Sequence, residues 1–146
     1  SNGGEEPDNS MNWVKLAVTL HEMDHSMPDG SKRVVEAVQA YSTALELGLT
    51  DQLAVSIYSN MGAILMSAGH AAKAIDALQA GIKLVKKAEL GNEAAGGLYY
   101  NMGKAYGYIG DAEKATESYE SAVNMTRGKE PHIYILASTS LKKSDQ

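Results

Sequence analysis

The chain has 146 residues, 44% of them hydrophobic and 21% charged, which places it with globular proteins of one domain or a short repeat array. Its net charge of −5 argues against a dedicated nucleic-acid binder, whose footprint is a basic face. No apolar run nears the ~18 residues that a membrane span requires, so no membrane partner is expected. The lack of cysteine removes disulfide and thiolate chemistry and fits a reducing, cytoplasmic setting.

Residues 1–10 are small, polar and acidic and read as a disordered tail. The first helix carries Trp13, Leu16, Ala17 and Leu20 at i, i+3, i+4 and i+7. A polar stretch over 24–31 follows, in which Pro28 and Gly30 forbid a continuous helix. The second helix, about 32–47, should bury Val34, Ala37, Val38, Tyr41, Ala44 and Leu45. Helices over about 51–68 and 71–88 form a hairpin joined at Gly69, and helices over about 93–109 and 112–127 form another joined at Gly110. Pro131 suits the first turn of a seventh helix running to about 143, with 144–146 a short tail. Gly48, Gly69, Gly91, Gly110 and Gly128 are expected to close helices in the left-handed conformation. Ser10, Ser31, Thr50, Asn92 and Asp111 are expected to cap helix starts. No stretch alternates with period 2, so the fold class is all-α.

An internal repeat organises these helices. Asn101-Met102-Gly103, Tyr106, Gly110, Ala115, Tyr119 and Ala122 each stand 41 residues after Asn60-Met61-Gly62, Leu65, Gly69, Ala74, Leu78 and Gly81. Small residues let antiparallel helices approach, and large ones fill the space beside them. The pattern resembles the tetratricopeptide repeat, with Tyr58, Met61, Leu65 and Leu78 set around Gly62, Ala74 and Gly81, and Tyr99, Met102, Tyr106 and Tyr119 set around Gly103, Ala115 and Ala122. Trp13, Leu16, Ala17 and Leu20, followed by Ala37, Tyr41 and Ala44, fill the same slots in a first repeat that departs from the family by an inserted loop at 24–31. Ile133, Leu136 and Ala137 could begin a truncated fourth repeat. The period exceeds the roughly 34 residues usual for the family and is similar to the long repeats of kinesin light chains.

The resemblance implies a right-handed superhelical solenoid of three hairpins plus a C-terminal capping helix. Its repeats are 11–48, 51–90 and 92–128, and its cap is 131–143. Residues lining a concave groove would then be Ser56, Ser59, Asn60, Ala63 and Ser67 in the second repeat, and Gly97, Tyr100, Asn101, Lys104 and Tyr108 in the third. Asn60 and Asn101 can both donate to and accept from the main chain of a peptide. Lys104 could hold an acid or carbonyl, and Tyr100 and Tyr108 apolar side chains. The implied function is a non-catalytic module that binds an extended or helical peptide of a protein partner, as part of a larger scaffold, adaptor or enzyme. The alternative is a homodimer through the seventh helix or the Tyr100/Tyr108 face.

One chaperone-binding subset of the family clamps a C-terminal carboxylate with lysines, an arginine and asparagines. Here Val14, Val18, Gly97 and Asn101 occupy clamp positions and only Asn60 fits, which argues against a heat-shock chaperone tail as partner. His21-Glu22-Met23-Asp24-His25 spells a zinc-protease signature, but Pro28 breaks the helix, Asp24 puts a charge inside the motif and no third ligand is evident. Zinc binding through His21 and His25 is thus a remote alternative, and neither a metal nor a cofactor is expected.

Overall fold

A computed structural model describes residues 9–23, 28–127 and 131–144. Among these residues the chain is entirely helical: α1 (Asn9–Glu22), α2 (Gly30–Leu47), α3 (Asp51–Ser67), α4 (Ala71–Lys87), α5 (Asn92–Tyr108), α6 (Ala112–Thr126) and α7 (Pro131–Ser144). The chain divides into two compact units, Ser1–Thr50 and Asp51–Gln146.

The first unit is the hairpin of α1 and α2. Val14 and Ala17 of α1 are buried, as are Val34, Ala37, Ala40, Tyr41 and Ala44 of α2. Tyr41 has no exposed surface, and its phenol lies 3.1 Å from Nδ1 of His21, which satisfies a hydroxyl that would be costly to bury alone. Asp29 precedes α2 and grips Arg33 one turn on, through Nε at 3.2 Å and through the guanidinium Nη2. That hydrogen bond holds the Asp29 carboxyl below its ordinary range. α2 ends at Gly48, whose φ of +97° suits a residue without Cβ. Of the expected inserted loop, 24–27 lie outside the described residues, Pro28 and Asp29 form a turn, and helix resumes at Gly30.

The second unit stacks α3–α4 on α5–α6 and adds α7 against α6 and α5. Its core joins Val55, Leu78, Ile82, Val85, Ala95, Leu98 and Met102, with Tyr99, Tyr106 and Met125 packed beside them. The internal repeat is carried by two matched close approaches. A Cβ placed on Gly62 would stand 2.5 Å from Leu78 Cδ2, and one on Gly103 would stand 2.5 Å from Tyr119 Cε1. These distances are well inside van der Waals contact, so each glycine lets the second helix of its hairpin seat a large side chain on bare backbone. A Cβ on Gly96 would likewise collide with the fully buried Thr126, whose hydroxyl donates to the Ala122 carbonyl at 2.6 Å.

Helix ends depart from the sequence expectation in an instructive way. Gly69 and Gly110 are left-handed (φ +81° and +85°), and the next amides, of His70 and Asp111, close back onto Leu65 and Tyr106. Gly91 is not left-handed; it is the extended residue that precedes α5. α4 closes through Glu89 at φ 53°, with Leu90 N–H reaching the Val85 carbonyl at 3.0 Å, because α4 stops two residues too early for Gly91 to take that station. Gly128 lies outside the described residues. Asp111 caps α6 by accepting from the Lys114 amide at 3.1 Å, whereas Ser10, Ser31 and Asn92 fall inside their helices.

Candidate functional site

Stacking α3, α5 and α7 in the second unit leaves a hollow of about 540 Å³ where α5 begins. α3 contributes Gln52, Val55, Ser56 and Ser59, α5 contributes Glu93, Ala94, Gly97 and Leu98, and α7 contributes Ile133. The polar members follow from helical spacing, since Gln52, Ser56 and Ser59 recur at i, i+4 and i+7 on one face of α3. Gly97 differs from Gly96 and Gly103 of the same helix. A Cβ there would meet nothing within 4 Å, so the glycine deepens the hollow instead of admitting a neighbouring helix.

The sequence-nominated residues divide into three groups. Ser56 and Gly97 line the hollow directly. Asn101 reaches it through Ser59: its Nδ2–H donates to Ser59 Oγ at 3.3 Å, joining α5 to α3. That bridge uses one donor of the side-chain amide, and among the described residues nothing donates to its Oδ1. The side-chain amide of Asn60, half-buried beside Ser59, makes no hydrogen bond with another described residue. Ser56 donates to the Gln52 carbonyl at 3.3 Å, which leaves its oxygen as an acceptor toward the hollow. Ser67 sits at the far end of α3 and donates to the Ile64 carbonyl at 2.8 Å. Tyr108 is 65% exposed at the far end of α5, with its phenol leaning over Gly69 of the α3–α4 turn.

Tyr100 and Lys104 form the third group. Lys104 Nζ lies 4.9 Å from the centre of the Tyr100 ring, a cation held over a π face. Tyr100 also meets Tyr119 of α6, ring centres 5.9 Å apart and tilted by 49°. Burial lowers the Lys104 pKa and raises that of Tyr119, which Tyr100 raises further and a hydrogen bond with Ser140 of α7 opposes. Tyr119 and Gln52 are members that sequence reasoning did not nominate, whereas Ser59 is expected on the groove face. Helical spacing puts Ser59 on the same face as Asn60 or Ser56, but it does not say which hydroxyl a neighbouring helix will meet.

Of the zinc-protease signature, His21 is occupied by Tyr41 in a T-shaped contact with ring centres 6.2 Å apart, and His25 lies outside the described residues. Lys83, Lys86 and Lys87 are exposed on α4.

Residues 97–128 match the tetratricopeptide repeat family, so the chain contains at least one such repeat, over most of α5 and all of α6. A search of curated protein sequences finds no match. Among solved structures, the N-terminal domain of stress-induced protein-1 (STI-1) from C. elegans superposes with a TM-score of 0.73 at 14% identity, covering 95% of this chain and 96% of that one. The TPR2AB domain of yeast Sti1 in a pHSP90 complex superposes with a TM-score of 0.70 at 18% identity, covering 94% of this chain and 49% of that one. At such identities the likeness establishes the fold, an all-α helical repeat.

The second likeness also corrects an expectation. The exclusion of a heat-shock chaperone tail does not stand, because a domain of like fold occurs in a pHSP90 complex at 18% identity. The exclusion compared side chains at five positions, and one of them, Val14, is buried and not a groove residue at all.

Proposed function

We propose that the chain is a non-catalytic protein-interaction module, of the long-period type found in kinesin light chains, that holds an extended peptide in the hollow between α3, α5 and α7. One observation carries this reading: the Asn101–Ser59 bridge ends at Ser59 on the wall of an open hollow, and the side-chain amides of Asn101 and of Asn60, next to Ser59 in the chain, keep hydrogen-bonding capacity among the described residues. Such capacity on a half-buried wall is matched by the alternating N–H and C=O groups of a peptide main chain. Lys104, raised on the Tyr100 ring, favours an acidic segment or a terminal carboxylate. A chaperone tail of the kind bound by Sti1 belongs among the ligands to try.

Fluorescence anisotropy with labelled pHSP90-tail peptide and a set of acidic and neutral extended peptides tests the proposal. Asn60→Ala should weaken the bound peptide about tenfold, the loss of one to two buried hydrogen bonds, while the melting curve stays in place. Ser59→Ala removes the bridge without touching either amide, and should cost stability before it costs affinity. Early unfolding of Asn60→Ala, or unchanged affinity in it, would make these amides structural. Sedimentation at several concentrations separates the reading from self-association through the exposed Ile135 or Tyr108.

A further inference from the structure

Glycine inside a helix costs stability relative to alanine, so each glycine of α5 needs a physical reason. Gly96 and Gly103 have theirs in Thr126 and Tyr119, whose side chains a Cβ would strike. Gly107 lies in the last turn, where the helix is ending. Gly97 lies in the second turn, half-buried, and a Cβ there would meet nothing within 4 Å. Among the described residues no neighbouring helix uses its bare backbone; the space belongs to the hollow, of which Gly97 is part of the wall. That hollow is layered. Val55 and Leu98, 5% and 1% exposed, are core residues at its base, and Ile133 of α7 adds a third aliphatic chain. Gln52 and Ser56, both exposed, stand at its mouth.

We propose that Gly97 is a specificity-determining residue of the peptide site: the room left by its missing side chain receives one large apolar side chain of the bound segment. The inference rests on the groove reading above and adds to it the class of residue that the segment must carry. An extended peptide held by its main chain turns every second side chain toward the wall, and at Gly97 the wall is bare backbone beside an aliphatic base. Polar groups at the mouth can meet the peptide's N–H and C=O groups, whereas Val55, Leu98 and Ile133 offer a hydrogen-bonding side chain no partner. Gly97, Asn101 and Lys104 follow at i, i+4 and i+7 on one face of α5, so Lys104 lies about 10 Å further along the helix axis. An extended chain covers that distance in about three residues. The ligand class is therefore a segment with a large apolar residue about two to four positions to one side of an acidic one.

Fluorescence anisotropy with short labelled peptides and the intact chain tests this. Each peptide has a central glutamate in a serine–threonine background, with leucine or alanine placed at one of the other positions. Leucine should outbind alanine by about tenfold at a single position, about two to four residues from the glutamate and on one side only. Gly97→Leu fills the room from the protein side and should abolish that preference, weakening the leucine peptide at least about tenfold relative to the alanine peptide. Gly97→Ala adds a methyl that meets nothing within 4 Å and should cut the preference about threefold, which keeps the test decisive if Gly97→Leu does not fold. Peptides that bind and respond to Asn60→Ala, but whose leucine preference is absent, survives both variants or falls equally at every position, overturn the proposal and leave the groove reading standing. If no peptide binds, the groove reading falls and the proposal falls with it.

Discussion

Gly103→Ala measures how far the hairpin depends on bare backbone. Alanine in place of glycine within a helix is favoured by about 1 kcal/mol on propensity alone. Against that gain, the new Cβ would lie 2.5, 2.6 and 2.8 Å from three carbons of the Tyr119 ring, where ordinary contact begins at 3.4 Å. The ring is planar and rigid, and it packs against the ring of Tyr100, so it must move as a body. Overpacking of this kind costs about 1–3 kcal/mol, with the upper half expected for a ring that has nowhere to turn. The net change is therefore a loss of about 1–2 kcal/mol. Gly97→Ala is the control, because its Cβ meets nothing within 4 Å and keeps the propensity gain. The two variants should thus differ by about 2–3 kcal/mol in urea denaturation followed by circular dichroism, through the midpoint and not the slope. Equal midpoints would mean that Tyr119 is not wedged against α5, and the account of the repeat would fail with it.

Two further outcomes concern stability. Glu89→Gly should raise it by roughly 1 kcal/mol in the same urea assay, since the left-handed station at φ 53° strains any residue with a Cβ; an unchanged or lower midpoint would show that the Glu89 side chain outweighs the strain. Tyr119 has its pKa raised by burial, so the unfolded chain loses that proton first as pH climbs. Its contribution is intact below the ordinary tyrosine value and is lost as pH rises through the folded value. Stability should therefore fall more steeply above about pH 10 in the wild type than in Tyr119→Phe, and parallel declines would refute the assignment.

The helices and their pairing were legible because the repeat is written in residues whose role is steric. Gly62 and Gly103 each stand sixteen before a large residue, Leu78 and Tyr119, and the geometry puts each pair in contact. What stayed hidden depended on a length or a partner. Gly91 looks like any other closing glycine until the end of α4 is known, and only then does Glu89 take the left-handed place. Spacing assigns Asn101 to a face of α5, but the bond to Ser59 depends on how α3 and α5 are offset, which no single helix encodes. The partner was the hardest to read, since groove chemistry resides in a few polar atoms that the fold tolerates in many combinations.

Tyr119 belongs to three helices at once. It plugs the gap that Gly103 leaves in α5, its phenol faces Ser140 of α7, and its ring packs against the ring on which Lys104 rests. The last helix is consequently more than a lid on an apolar end. Shortening the chain before Pro131 would take Ser140 from the phenol, let the plug tilt, and shift the ring that carries the Lys104 ammonium, so that trimming one terminus would be felt at a cation two helices away.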